Sequence, residues 1–269
     1  MDEKEIPLTG GNTNSCVVRA GNTVRRALRS SSATVHRLLG FLEQRDYSGS
    51  PRFLGIDANG REMLSYIEGH CGISPSAWGS DSIIETTARG LRNLHDITAH
   101  YPVHADDRWG FTYPDPTRHE VICHNDFGLY NLVTKDNKFH GVIDFDLAGP
   151  GPRIRDIAYA AYWLTPLSQS ADDMKPFALE DLHNNSRRLK QFCSIYGVEA
   201  NLSLLDMVSE ILHFMGSEKA MIDLFGCDVA LSLKRDGHLQ HWHKEALAFD
   251  VYRIDIESTL CLGNRIVID

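Results

Sequence analysis

The sequence predicts a two-lobed α+β protein: a small antiparallel β-sheet lobe, then a larger, mostly helical lobe. Three observations predict it. Short β-patterned runs separated by Gly/Asn turns fill the first 69 residues. Helical periodicity dominates from Asp156 onward. Between these regions, one short apolar strand and one hairpin carry a cluster of His, Asn and Asp residues. The boundary falls after Gly69, which divides the chain into lobes 1–69 and 70–269.

In the first lobe, residues 6–8 and 16–19 read as strands flanking a loop of Gly, Asn, Thr and Ser over 9–15. Residues 20–22 form a turn, and 23–26 the next strand. Ser31 and Ser32 can cap a helix running to about Asp46, with Val35, Leu38, Leu39 and Leu42 at helical spacing. Residues 51–56 and 62–67 are two more strands about the 57–60 turn. In the second lobe, 81–100 reads as a helix capped by Asp81, with Ile83, Ile84, Leu91 and Leu94 on one face. Residues 102–119, rich in Pro, aromatic and Asp residues, read as a surface loop. Val121 to Cys123 is a buried strand, and 131–134 with 139–143 form a hairpin about Asp136 and Asn137. Helices follow, with breaks near Pro166, Pro176, Gly197 and Gly237.

Composition narrows the function. The chain has 269 residues, 42% apolar and 23% charged, an ordinary globular balance. It carries 27 Lys+Arg against 36 Asp+Glu, net −9, so a nucleic-acid scaffold is not expected. The N-terminal residues show no basic segment followed by an apolar run, which points to a cytoplasmic protein. The uncharged stretch 157–171 is too short and too polar to span a bilayer, so no membrane partner is expected. Six cysteines at 16, 71, 123, 193, 227 and 261 have no close pairs and read as reduced, mostly buried thiols.

The chemistry lies in residues 124–131 and 141–146. Asp126 and Asn131 stand five positions apart on a loop leaving the buried strand, and Asp144 follows 13 residues later on the returning hairpin. With the strand and hairpin as read, that spacing can bring two carboxylates and an amide oxygen together. Oxygen donors of this kind suit Mg²⁺ shared with substrate phosphates. Asp126 can then accept a hydroxyl proton during attack on a γ-phosphoryl group.

His124-Asn-Asp126 with Asn131, then Ile143-Asp-Phe-Asp146, resembles the catalytic and metal loops of the aminoglycoside phosphotransferase family. That family is similar in fold to protein kinases and choline kinases. Ala148 to Pro152 followed by Asp156-Ile-Ala158 resembles the family's Gly-x-Pro and following helix start, and Leu91 to His95 resembles its Leu-x-x-Leu-His helix. The resemblance implies a bilobal protein-kinase-like fold. It implies Asp126 as catalytic base, Asn131 and Asp144 as Mg²⁺ ligands, His124 as a brace and Asp156 as a structural carboxylate. Asp146 has no assured counterpart. The loop holding Asn12 and Ser15 resembles the cover over nucleotide phosphates, and the segment with Tyr66 and Ile67 resembles the hinge that binds the base. The family's phosphate-gripping strand Lys is absent, since residues 5–134 hold no lysine. Arg25 and Arg26 stand in its place on opposite strand faces. The helix Glu that pairs with that Lys is also missing: His36 stands roughly there, and Glu43 lies two turns on.

Three further features have plainer readings. His36 reads as an ordinary helix residue and Glu43 as a solvated helix end. His238, His241 and His243 read as helix surface more readily than as a metal site. Residues 106–115 can be a substrate wall or a packed loop. The expected function is transfer of a γ-phosphoryl group from ATP or GTP to a hydroxyl of an aminoglycoside-like, amino-alcohol or sugar acceptor. The alternatives are a choline, ethanolamine or homoserine kinase, and a pseudokinase that binds nucleotide or a partner without turnover. The expected partners are therefore a nucleotide and a small hydroxyl acceptor.

Overall fold

A computed structural model describes residues 4–8, 17–169 and 182–262. Its small sheet has five antiparallel strands: β1 (Glu5–Pro7), β2 (Val18–Ala20), β3 (Thr23–Arg26), β4 (Phe53–Ile56) and β5 (Glu62–Ser65). They lie in the order β1-β2-β3-β5-β4. Register sets Arg25 opposite Met63 and Arg26 opposite Glu62. Helix α1 (Ser32–Glu43) buries Val35, Leu38, Leu39 and Leu42, as its spacing predicts. The Ser31 side chain makes no capping bond; Ser32 Oγ instead accepts the Arg29 amide at 2.9 Å. The helix stops short of Asp46 because that residue takes a left-handed φ of 57° and the Tyr47 amide turns back to the Leu42 carbonyl.

The larger part opens with β6 (His70–Cys71), α2 (Pro75–Trp78) and α3 (Asp81–Thr98). The cap of α3 is Ser80, whose Oγ accepts from Ile83, and Asp81 sits in the first turn. Strand β7 (Val121–Cys123) follows, then the hairpin β8 (Leu132–Lys135) and β9 (Lys138–Val142). The hairpin turns at Asp136 and Asn137, both at positive φ. Strand β10 (Gly149–Gly151) pairs antiparallel with β7. Its Gly-Pro-Gly composition opposes a strand by propensity, so tertiary pairing alone selects it. Helices α4 (Arg153–Leu164), α5 (Leu182–Tyr196), α6 (Leu202–Gly216), α7 (Glu218–Phe225), α8 (Cys227–Arg235) and α9 (His238–Leu262) complete the order. The breaks near Pro166, Gly197 and Gly237 fall as expected, with further ones at Ser217 and Gly226; the expected break at Pro176 lies outside the described residues.

One apolar core runs from α1 through α3, α4 and α6 to α9. Residues 102–119 are not a simple surface loop. Phe111 and Tyr113 are buried, and the Gly110 and Tyr113 amides donate to the carbonyls of Ala148 and Pro150. The segment lines β10, and its Asp107 side chain is buried against Arg37, so much of it is packed structure. Among the described cysteines, Cys123 and Cys193 are buried and Cys71 and Cys227 exposed, all as free thiols. No described helix is long and apolar enough to cross a membrane.

Strand β10 fits only without side chains at its ends. A Cβ on Gly149 would stand 1.8 Å from the Phe111 carbonyl oxygen. Gly149→Ala should lower stability by about 1–3 kcal/mol. Gly40, inside α1 with open space around it, should gain about 0.5–1 kcal/mol on the same change. Urea midpoints check both; unchanged stability in Gly149→Ala would mean that β10 can retreat from the 109–111 segment.

Candidate active site

The buried strand β7 delivers the chain to His124, Asn125 and Asp126. Asp156, in the first turn of α4, grips this exit. Its Oδ2 accepts the His124 amide at 2.6 Å and its Oδ1 the Asn125 amide at 2.7 Å. His95 Nε2 of α3 lies 3.0 Å from the same Oδ2, and His95 Nδ1 lies 2.7 Å from the Tyr196 hydroxyl. His95 and Asp156 are fully buried. Burial alone would raise the Asp156 carboxyl, but His95 and the His124 amide hold it below the ordinary carboxylate value. His95, Cys123 and Asp156 lie close enough for one ion, yet both His95 nitrogens are committed and the Cys123 thiol donates to Pro152. The group is a latch. Asn125, at φ 64°, donates to the Leu147 carbonyl and accepts from Arg155 Nε. Burial lowers the His124 imidazole, which keeps it neutral; its Nε2 lies 3.0 Å from the Ile143 carbonyl.

The loop then turns back on itself. Asn131 Nδ2 donates to both the carboxylate Oδ2 and the backbone carbonyl of Asp126, each at 2.9 Å. The Ile143 amide donates to the Asn131 carbonyl at 2.9 Å, which seats Asp144 beside Asn131. Asp144 takes a left-handed backbone, φ 65° and ψ 67°, a conformation that costs energy for a non-glycine residue. The structure therefore brings Asp126, Asn131 and Asp144 together. Burial pushes the Asp126 carboxyl up to about 6, with the Asp144 charge acting the same way against donors Tyr130 and Asn131.

Strand alternation separates the two arginines. Arg26 Nη1 lies 3.0 Å from Asp144 Oδ1, Nη2 lies 2.5 Å from Asp146 Oδ1, and Nε lies 2.5 Å from Glu62 Oε1. Arg25 approaches Glu5 at 3.9 Å instead. His36 is no ordinary helix residue. Its Nε2 lies 2.5 Å from Glu62 Oε2, and its ring stacks on Phe53 at 3.6 Å. The acid missing from α1 is thus supplied by β5, from the position opposite Arg26. Glu43 makes an exposed pair with Arg52, 3.4 Å apart. Burial works against the charge on Glu62, but His36 and Arg26 outweigh it and hold its carboxyl low. Likewise, burial raises the Asp144 carboxyl, but Arg26 outweighs it; Asp146 is pushed up by burial and by the Asp144 charge. Arg29 makes a second ion pair to Asp146 at 2.7 Å.

Other expected positions differ. Asn12 and Ser15 lie outside the described residues. The Tyr66 amide donates to the Asn22 carbonyl, and its ring lies under the Arg19 guanidinium, so that N–H is committed within the sheet. Ile67 packs where a side chain on Gly141 would collide with it. His238 accepts from Trp242 Nε1, an aromatic packing role. Sequence reasoning missed Glu62, Tyr130 and Arg155. Glu62 had a signal: an acid opening a mostly apolar strand, able to pair across from the strand of Arg25 and Arg26.

This set of a braced Asp, an amide and a second Asp is matched by a known family. The sequence pattern of the phosphotransferase enzyme family fits residues 7–192. The chain belongs to this family. It is therefore a phosphotransferase with a hydroxyl acceptor. Among curated proteins, it is 31% identical over 198 residues to the trifolitoxin immunity protein of Rhizobium leguminosarum bv. trifolii, covering 72% of this chain and 74% of that one. Among solved structures, the GDP complex of a point mutant of aminoglycoside 2'-phosphotransferase-IIIa aligns at a TM-score of 0.62 and 14% identity, covering 94% of this chain and 93% of that one. APH(3'')-Id of Streptomyces rimosus, with ADP and streptomycin, aligns at 0.55 and 16% identity, covering 78% of this chain and 92% of that one. At such identities the two structures speak for the fold: a bilobal, kinase-like α+β architecture.

The latch at Asp156 yields a stability prediction. Asp156→Asn should cost about 1.5–3 kcal/mol at neutral pH, the scale for losing buried hydrogen bonds to a charged group. The folded carboxyl titrates below its ordinary value of 3.8, so its stabilisation is present above that pH. The gap between wild type and variant should close as pH falls below it. Urea unfolding at a series of pH values checks this; a constant gap would mean that the carboxylate charge contributes nothing.

Proposed function

We propose that the enzyme transfers the γ-phosphoryl group of ATP or GTP to a hydroxyl of an aminoglycoside-like, amino-alcohol or sugar acceptor, with Mg²⁺ on the phosphates. One observation carries this reading: Asp126 is clamped by Asn131, and the Asn131–Ile143 hydrogen bond sets Asp144 beside them. Neighbours of the same fold bound to ADP, GDP and streptomycin support a nucleotide donor and a hydroxyl-rich acceptor. In this reading residues 1–69 cover the nucleotide and 70–269 hold the base and the acceptor.

The donors fit Mg²⁺. They are oxygens only, and Asp144 already holds a cationic group, the Arg26 guanidinium. Asn131 and Asp144 would hold the ion, which supplies charge neutralisation at the phosphates. Asp126 orients the acceptor hydroxyl and takes its proton. Arg26 adds positive charge beside Asp144, where the family usually places a lysine. Its planar fork can serve carboxylates and phosphate oxygens at once, which an ammonium cannot do in the same geometry. Phosphoryl transfer depends mainly on position and charge, so this short set suffices.

A second reading concerns the acceptor alone. The 31% identity to a toxin immunity protein favours a hydroxyl-bearing toxin as the molecule modified.

Calorimetry with ATP and GTP, with and without Mg²⁺, tests the site. Binding should require Mg²⁺ and weaken in Asp144→Ala. Arg26→Ala should weaken it too, while Arg25→Ala leaves it near wild type. Asp126→Asn should bind nucleotide normally yet lose at least about 100-fold in transfer. Mg²⁺-independent binding, or full transfer by Asp126→Asn, would overturn the assignment.

A further inference from the structure

Asp126 has two carboxylate oxygens. Oδ2 accepts from Asn131, on the side of the proposed metal ligands. Oδ1 accepts the hydroxyl of Tyr130. An acceptor hydroxyl must hydrogen-bond its base before it attacks. One hydroxyl of this chain already stands in that position.

Tyr130 is held there by several independent contacts. Its Oη lies 2.7 Å from Tyr159 Oη. Its ring meets Trp163 edge-on, with centroids 6.0 Å apart. Its backbone carbonyl accepts the Cys71 thiol at 3.2 Å. The ring folds over Gly128, where a Cβ would stand 2.8 Å from it, so a side chain there would expel the ring. The residue is nevertheless 47% exposed, so its outer face is open to solvent while its hydroxyl points at the base.

We propose that Tyr130 is itself a phosphoryl acceptor, and that the enzyme modifies its own catalytic loop in cis. The inference rests on the phosphotransferase reading of the Asp126 site. The bond between the γ-phosphorus and the bridging oxygen breaks, and its electron pair leaves with the nucleoside diphosphate. A bond forms from Tyr130 Oη to that phosphorus. The phenolic proton passes to Asp126 Oδ1 along the existing hydrogen bond. The product carries a charge of about −2 beside Asp126. Asp126 then gives up that proton to solvent, and repulsion between the restored carboxylate and the phosphate swings the ring outward and clears the base for a second acceptor.

The experiment incubates the full chain with Mg²⁺ and ATP, and separately GTP, without added acceptor. Intact mass and peptide mapping follow the product, and calorimetry on the same samples records nucleotide binding. The expected result is one phosphoryl group per chain, on Tyr130, gained at a rate constant independent of protein concentration. Tyr130→Phe and Asp126→Asn should gain none there. When Asp126→Asn is mixed with Tyr130→Phe, the former should remain unlabelled; labelling would overturn the cis step. Bound nucleotide with unmodified Tyr130 would overturn this proposal and leave the phosphotransferase reading standing. Faster nucleotide hydrolysis by Tyr130→Phe, with no phosphotyrosine in wild type, would make Tyr130 a plug and would also overturn it. No binding of either nucleotide would overturn both.

Discussion

The Arg26 guanidinium is shared among three carboxylates drawn from separate parts of the chain: Glu62 from β5, and Asp144 and Asp146 from the loop after β9. Such a cluster would repel itself without a cation at its centre. Arg26 is buried, and Glu62 is 1% exposed, so neither charge has water as a substitute partner. The small sheet and the loops that carry Asp126, Asn131 and Asp144 are thereby linked through a planar cation. Arginine suits this place because its fork presents several N–H groups in fixed directions. Arg29 adds a second cation at Asp146, and His36 contacts the outer oxygen of Glu62.

A second constraint acts from below. Asp156 holds the amides of His124 and Asn125, and His95 with Tyr196 backs it from α3 and α5. The loop therefore enters the site from a rigid floor. Asn125 and Asp144 adopt left-handed backbones on either side of Asp126 in the chain. Conformations of that kind persist only where the surroundings over-determine them. The floor at Asp156 and the clamp at Arg26 supply that determination, and Asp126 sits between them.

Legibility followed the range of the interactions. The helices and the β8–β9 hairpin were readable because their signals are local: spacing of Val35, Leu38 and Leu42, or the Asp136–Asn137 turn. Strand β10 was not, because Gly149, Pro150 and Gly151 disfavour strands until β7 pairs with them. The 102–119 segment read as surface because its Pro and Asp residues suggested solvent, yet backbone pairing along β10 buries Phe111 and Tyr113. Of the site, the spacing of Asp126, Asn131 and Asp144 could be read directly. The pairing of Arg26 with Glu62 could not, because the family pattern puts the acid on the helix, whereas here it stands on the neighbouring strand.

By itself the sequence determined the set of chemical groups: a candidate base, two oxygen donors, and an arginine pair where lysine is usual. It also determined which residues could share a loop, since their separations are short. Tertiary structure alone decided which arginine faces the carboxylates, because strand alternation permits either until the sheet is seated. It alone decided that Glu62 and His36 join the anchor, because their contact depends on β5 lying between β3 and β4 with α1 against the sheet. It alone set Tyr130 on Asp126, since a side chain's direction within a short turn depends on what packs behind it: here Gly128, Tyr159 and Trp163. Spacing along a chain limits how far apart groups can be, and only packing fixes which of them meet.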